Sequence, residues 1–219
     1  MRLRPNLKQV VSVLKTLDKY QSQETMLEAN GPSWTPFKIL ISTILSARAK
    51  DEVTEAVSKK LFKKYPTAKK LAKAPLKQIV KIIKPIGFYN VKAKNITKTA
   101  KTILTKFNGR VPKNFDDLVS LSGVGRKVAN CVLAFAFDQP VIPTDTHVHR
   151  ISNRLGWIKT KRPEQTEKEL EKIIPKKYWR LINDVFVTHG KTICAPISPF
   201  CSKCPIYKWC KRIGIKRHR

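Results

Sequence analysis

Leu121-Ser122-Gly123-Val124-Gly125-Arg126-Lys127 is followed by an apolar run to Phe137 and then by Thr144-Asp145-Thr146-His147. Two glycines one residue apart disfavour continuous helix, so they mark a sharp turn between helical segments. Before the turn, Phe115, Leu118 and Val119 carry the apolar stripe of a short helix. After it, Val128, Ala129, Val132, Leu133, Ala136 and Phe137 carry the stripe of a second. A hairpin of this kind lets another backbone approach closely and presents backbone N–H groups at a helix N-terminus. That is an anion site, and it suits a phosphate without reading any base.

Working outward, three- and four-residue apolar spacing recurs along the chain and no segment alternates with period two. Val10, Val11, Val13, Leu14 and Leu17 form one stripe. Thr35-Pro36 is an N-cap with proline at the first helical position, opening a helix with Phe37, Leu40, Ile41, Ile44 and Leu45 inward. Asp51 is expected to cap the next helix, whose buried face is Val53, Ala56, Val57 and Leu61. A shorter helix holds Ile79, Val80 and Ile83 before Pro85 and Gly87; a longer one runs from Ala93 through Ile103 to Asn108-Gly109. Val148, Ile151, Ser152 and Leu155 continue the pattern to Gly156. Two further helices follow, on Leu170, Ile173 and Ile174 and on Leu181, Ile182, Val185 and Phe186. The fold class is all-α with short connections.

Charge narrows the partners. Lys and Arg number 45 against 15 Asp and Glu, a formal net charge of +30 in 219 residues. Such an excess implies a polyanion, with nucleic acid the first candidate, although charge alone does not separate DNA from RNA or an anionic membrane. Met1-Arg2-Leu3-Arg4-Pro5 lacks the apolar core of a signal peptide, and no apolar run nears the ~20 residues of a membrane span. The expectation is a soluble, intracellular protein.

Four of the five cysteines form Cys194-x6-Cys201-x2-Cys204-x5-Cys210, broken by Pro196, Pro199 and Pro205. Inside a cell this reads as a metal or cluster centre rather than a disulfide framework. Spacing leaves zinc and [4Fe–4S] equal, since each accepts four thiolates. Cys131, on the apolar face after the hairpin, reads as a small core residue. His147 and His149 are two apart, diverge on a helix and have no ligand partner spaced nearby, so they are not expected to bind metal.

The hairpin, Thr144-Asp-Thr-His147 and the C-x6-C-x2-C-x5-C tail, in that order, resemble endonuclease III, the family of helix-hairpin-helix DNA glycosylases with an iron–sulfur cluster. Ile44-Leu-Ser-Ala-Arg-Ala-Lys-Asp51, Ile86-Gly-Phe-Tyr-Asn90 with Lys92-Ala93, and Asn108-Gly-Arg-Val-Pro112 add to the match, which spans roughly Pro32 to Cys210. The resemblance implies a six-helix domain over 29–140 containing the hairpin. It implies a second lobe of 1–28 plus 141–219 carrying a [4Fe–4S] loop at 194–210, with DNA bound between the lobes. A monomer acting on damaged double-stranded DNA, cytoplasmic and nucleoid-associated in a prokaryote, is expected, with no membrane.

The resemblance makes Lys127 the nucleophile. Its amine would attack the sugar C1′, expel the base and leave a Schiff base, after which proton loss at C2′ allows β-elimination. The amine must be neutral, and desolvation and Arg126 are expected to lower its pKa. Asp145 would assist deprotonation and stabilise charge on the sugar, while also serving as a helix N-cap. Gly123, Gly125 and Arg126 would contact DNA. Phe88 aligns with the family's apolar wedge, and Arg48 stands where a glutamine commonly enters the duplex opposite the lesion. Core packing for Phe88, a phosphate contact for Arg48 and capping for Asp51 are the plain alternatives. Ser122 replaces a frequent proline and His149 a phenylalanine. A lysine at 127 argues for a bifunctional glycosylase/AP lyase acting on oxidised pyrimidines. The alternatives are a monofunctional mismatch or uracil glycosylase, or a non-catalytic DNA-binding module with structural zinc.

Overall fold

Apolar spacing of three and four residues dictates helices, and a computed structural model describes residues 5–20, 25–30 and 33–219, with no strand among them. Met1 to Arg4 of the N-terminal reading, and Pro32 at the start of the resemblance, lie outside the described residues. Among the described residues, twelve α-helices run in order: α1 (Leu7–Tyr20), α2 (Met26–Asn30), α3 (Pro36–Ser46), α4 (Asp51–Lys64), α5 (Ala68–Ala72), α6 (Leu76–Ile83), α7 (Tyr89–Lys106), α8 (Phe115–Val119), α9 (Arg126–Phe137), α10 (Thr146–Leu155), α11 (Pro163–Glu171) and α12 (Trp179–Thr192). No helix among the described residues is long and apolar enough to cross a membrane.

The chain divides into two compact units, Met26–Gln139 and Met1–Thr25 with Pro140–Arg219. In the first, α3 and α9 form the core. Phe37 and Ile39 to Leu45 of α3 are all buried, as are Val128 to Phe135 of α9, because both helices are apolar almost all round. Helix α3 packs on α9, α4 and α7, and α7 in turn carries α5 and α6. Thr35 caps α3 by accepting from the Lys38 N–H at 3.4 Å, with Pro36 at the first helical position. Asp51 is not a cap: Lys50 holds that place without a side-chain bond, and Asp51 stands in the first turn of α4. A carboxylate there still complements the helix dipole.

In the other unit, α12 packs on α1 and α10, with Phe186, Leu14, Val148, Ile151 and Leu155 in its core. Gly156 ends α10 with φ 74°. Ile173 and Ile174 lie beyond the end of α11 in the following turn, although Ile174 is buried.

Candidate functional site

The hairpin is built by anchors on either side of its turn. Asn114 caps α8 by accepting from the Asp117 N–H at 2.9 Å, and Leu121 and Val124 are buried beneath the turn. Gly123 has φ +80°, and a β-carbon there would meet the Asn95 amide at 2.9 Å and its β-carbon at 3.0 Å. Glycine is required on both counts. Gly125 differs, for its φ is −93° and nothing lies within 4 Å of a β-carbon built on it. The fold leaves open space there, as close approach of another backbone needs. Two bonds from α7 brace the turn: the Ser122 hydroxyl donates to Asn95 Oδ1 at 3.0 Å, and the Thr99 hydroxyl donates to the Ser122 carbonyl at 2.8 Å. Serine, replacing the ring of a proline, thus gains an external tie.

Gly125 is the N-cap of α9 and gives it no side-chain cap, and no acidic residue enters the first turn. The positive end of the helix dipole is therefore unneutralised by side-chain carboxylates of that turn. Lys127, half-buried, occupies the second position of α9. The Arg126 guanidinium lies 4.8 Å from the centroid of the Phe115 ring, a cation–π contact that ties α9 to α8.

Arg48 and Phe88 lie in the same unit, on two turns. Both are exposed and both adopt left-handed backbone, with φ 55° and 60°. Phe88 is 63% exposed, so the core-packing alternative does not describe it. In contrast, Lys92 is buried one helical turn beyond Phe88, and its Nζ donates to the carbonyls of Leu45 at 2.8 Å and Ala47 at 2.6 Å. Burial pushes the Lys92 amine below the ordinary lysine value.

In the other unit, Asp145 is the N-cap of α10. Its Oδ1 accepts from the N–H groups of His147 at 2.8 Å and Val148 at 3.0 Å, so the cap uses one carboxylate oxygen. The preceding loop is held by Asn183, which donates to the Pro143 carbonyl at 2.6 Å. His147 Nδ1 lies 3.1 Å from Arg150 Nη2, and His149 Nδ1 lies 2.7 Å from the Thr166 hydroxyl.

Cys194, Cys201, Cys204 and Cys210 all line one cavity of this unit, together with Arg154 and His189. None of the four is in a disulfide. Among the described residues, no group of three or more His, Cys, Asp or Glu is placed to hold a metal ion. Arg154 is buried beside them and donates to Cys194 Sγ at 3.3 Å and to the carbonyls of Ala195 and Pro196 at 2.7 Å each. Arg150 donates to the carbonyls of Gly190 at 3.0 Å and Cys194 at 2.9 Å. Burial is the main force on the thiols: it pushes Cys204 up to about 12 and raises Cys201 and Cys210. Burial, and then the Arg150 charge, bring His189 down to about 4, so it is neutral at pH 7.

Lys92 enters a reading of the sequence only as part of a matched motif, with no role of its own, and Asn95, Arg150 and Arg154 escape it. A weak signal exists for the last pair, two arginines four apart on a helix that opens at Asp145. For Lys92 the signal would be a lysine in line with Ile96 and Thr99 on a helix whose other lysines face outward.

Three comparisons bear on this arrangement. Residues 41–176 match a family described as HhH-GPD superfamily base excision DNA repair protein. Endonuclease III of Thermotoga maritima is 47% identical over 176 residues, covering 80% of this chain and 83% of that protein. Endonuclease III of Bacillus subtilis is 38% identical over 215 residues, covering 98% and 96%. Among solved structures, a non-covalent endonuclease III–DNA complex superposes with a TM-score of 0.84 at 36% identity, covering 95% of this chain and 96% of that one. A trapped endonuclease III–DNA covalent intermediate does so with a TM-score of 0.80, again at 36% identity, covering 95% and 97%.

Proposed function

Because the chain belongs to the HhH-GPD superfamily of base excision DNA repair proteins, we propose that it excises damaged, oxidised pyrimidines from double-stranded DNA and cleaves the strand 3′ to the resulting abasic site. It is a bifunctional DNA glycosylase and AP lyase. The observation that carries the bifunctional reading is a lysine in the first turn of α9, directly after the Gly-x-Gly turn.

In this mechanism the hairpin takes the DNA backbone, with Gly123 shaping the turn and Gly125 leaving room for a phosphate at the positive end of α9. Arg126 adds positive charge there. Lys127, in the first turn of α9, supplies the amine, and attack requires that amine to be neutral. Its nitrogen lone pair forms the bond to C1′ while the glycosidic bond breaks and its electrons leave with the base. Opening of the sugar ring, with a proton passing to the ring oxygen, leaves a Schiff base on Lys127. Loss of a C2′ proton sends the electron pair toward C3′ and expels the 3′ phosphate. Asp145 accepts protons and stabilises positive charge on the sugar, and its cap geometry commits only one oxygen. Arg48 and Phe88, exposed on their turns, fill the space left when the base is flipped out.

The four cysteines are proposed to hold a [4Fe–4S] cluster. No three of these groups converge on a single ion, but a cluster would take one thiolate at each of four irons, and four unbridged thiols line one cavity with no disulfide competing for them. Burial raises the Cys201, Cys204 and Cys210 thiols, and as ligands they would be held as thiolates by a metal's charge. When bound, such a cluster supplies four metal–sulfur links that tie the 194–210 loop together. A monomer working in the cytoplasm, around the nucleoid in a prokaryote, completes the proposal.

Borohydride trapping on an abasic duplex tests it. The unmodified protein is expected to become covalently joined to DNA, and Lys127→Ala to lose the adduct. Base release without any adduct would replace the lyase by a monofunctional glycosylase; binding without either would leave a DNA-binding module.

A further inference from the structure

The excision chemistry leaves Lys92 without a role, yet the fold goes to some trouble to keep it. A buried ammonium is costly unless it is hydrogen-bonded, and a methionine would fill the same space without that cost. The two acceptors are informative. Leu45 is in the last turn of α3 and Ala47 is its C-cap, so both carbonyls belong to the set that a helix end leaves without an intrahelical donor. Arg48 comes next, with φ 55°. On the donor side, the Lys92 N–H bonds the carbonyl of Phe88, whose φ is 60°. One lysine therefore links two non-glycine residues in left-handed backbone, both with exposed side chains: its ammonium holds the carbonyls just before Arg48, and its main-chain N–H makes the ordinary helical bond to Phe88. Residues hold that conformation only where their surroundings over-determine it, and such places gather at functional sites.

Helix α7 extends the pattern. Residues 88, 92, 95 and 99 step by four, three and four, which places them along one face. Phe88 starts the helix, Lys92 takes the Arg48 turn, and Asn95 and Thr99 take the hairpin at Ser122.

We propose that Lys92 is a positioning residue for opening the duplex: its ammonium locks the Arg48 turn to the first turn of α7, so that Arg48 and Phe88 enter DNA as one rigid pair. This rests on the glycosylase reading above. Because Lys92 acts through the two turns and not on the sugar, its loss must tell most where the duplex has to be opened. It must tell least where the base is already unstacked.

The test compares the full-length protein with Lys92→Met, which keeps length and removes the charge. Single-turnover excision of an oxidised pyrimidine in fully paired DNA is expected to fall about 100-fold, the scale of a misplacement near 1 Å. Excision of the same base from an unpaired bulge is expected to fall less than about threefold. In a Phe88→Ala background, Lys92→Met is expected to add less than about threefold on the paired substrate, since its route of action is gone. Equal losses on paired and bulged substrates would overturn the proposal, as would unimpaired excision from paired DNA or full additivity with Phe88→Ala. Should Lys92→Met fail to fold, Lys92→Gln, which keeps a donor for one carbonyl, takes its place under the same criteria. A fluorescent aminopurine opposite a tetrahydrofuran abasic analogue reports opening without chemistry. A wild type that opens this duplex but excises nothing overturns the glycosylase reading alone. A wild type that excises while Lys92→Met opens the duplex normally overturns this one.

Discussion

Gly123 and Gly125 stand two residues apart in one turn, and the same substitution should have opposite consequences at each. At Gly123, alanine inherits φ +80°, which costs an L residue about 1–2 kcal/mol. Its β-carbon would also fall 3.0 Å from the β-carbon of Asn95 and 2.9 Å from its amide nitrogen. Both belong to the side chain that accepts from Ser122 at 3.0 Å, so relief of the clash breaks that hydrogen bond, for about 1 kcal/mol more. The sum is about 2–3 kcal/mol, or a Tm lowered by about 4–12 °C for a chain of this length. At Gly125 the backbone is ordinary and the space empty. There alanine gains about 0.4–1 kcal/mol by restricting the unfolded chain and gives back a similar amount as a poorer N-cap. Stability should stay within about 0.5 kcal/mol, while the methyl group intrudes where a phosphate approaches. Loss of one charge-assisted hydrogen bond would weaken duplex binding about tenfold or more. Urea unfolding and fluorescence anisotropy on a short duplex give both numbers for both variants. Equal destabilisation by the two substitutions would refute the account of the turn. Unchanged DNA affinity in Gly125→Ala would refute the phosphate site.

Asp145 should separate into its two roles: Asn caps as well as Asp, so Asp145→Asn is expected to unfold with the wild type yet excise about 100-fold or more slowly, whereas Asp145→Ala also loses about 1 kcal/mol in urea. A loss of activity in Asp145→Asn of less than about tenfold would leave capping as its whole contribution. Cys204→Ser is expected to abolish the visible absorption of the purified protein and to lower its Tm; an unchanged spectrum would remove Cys204 from the ligand set. Burial holds the His149 imidazole below its usual value, against an opposing pull from Glu164. The unfolded chain therefore takes up that proton first as pH falls, so the contribution of His149 to stability is complete above the unfolded pKa of about 6.5 and declines below it. Replacement by Gln should flatten urea midpoints between pH 7 and 5, and an unaltered slope would count against the assignment.

Much of this molecule is legible one segment at a time. Thr35-Pro36 opens α3 and Asp145 caps α10, because a cap satisfies N–H groups two or three residues away. The glycine at 123 forces the turn, and four cysteines within 17 positions come to line one cavity, again by local rules. Asp51 fell one position inside its helix, where sequence preferences for the cap and the first turn overlap. What only tertiary structure decided is which of many similar side chains are recruited. Lys92 is one of a crowd of lysines until α7 packs on α3 and brings it to carbonyls 45 and 47 residues distant. Those acceptors are backbone, so no residue type marks them in the sequence. Asn95 reaches Ser122 across 27 residues, and Arg154 reaches Cys194 across 40. The chemistry of the chain is thus written in short motifs, whereas the rigidity that aims it comes from long-range hydrogen bonds, to main-chain groups and between side chains, whose partners meet only once the helices have packed.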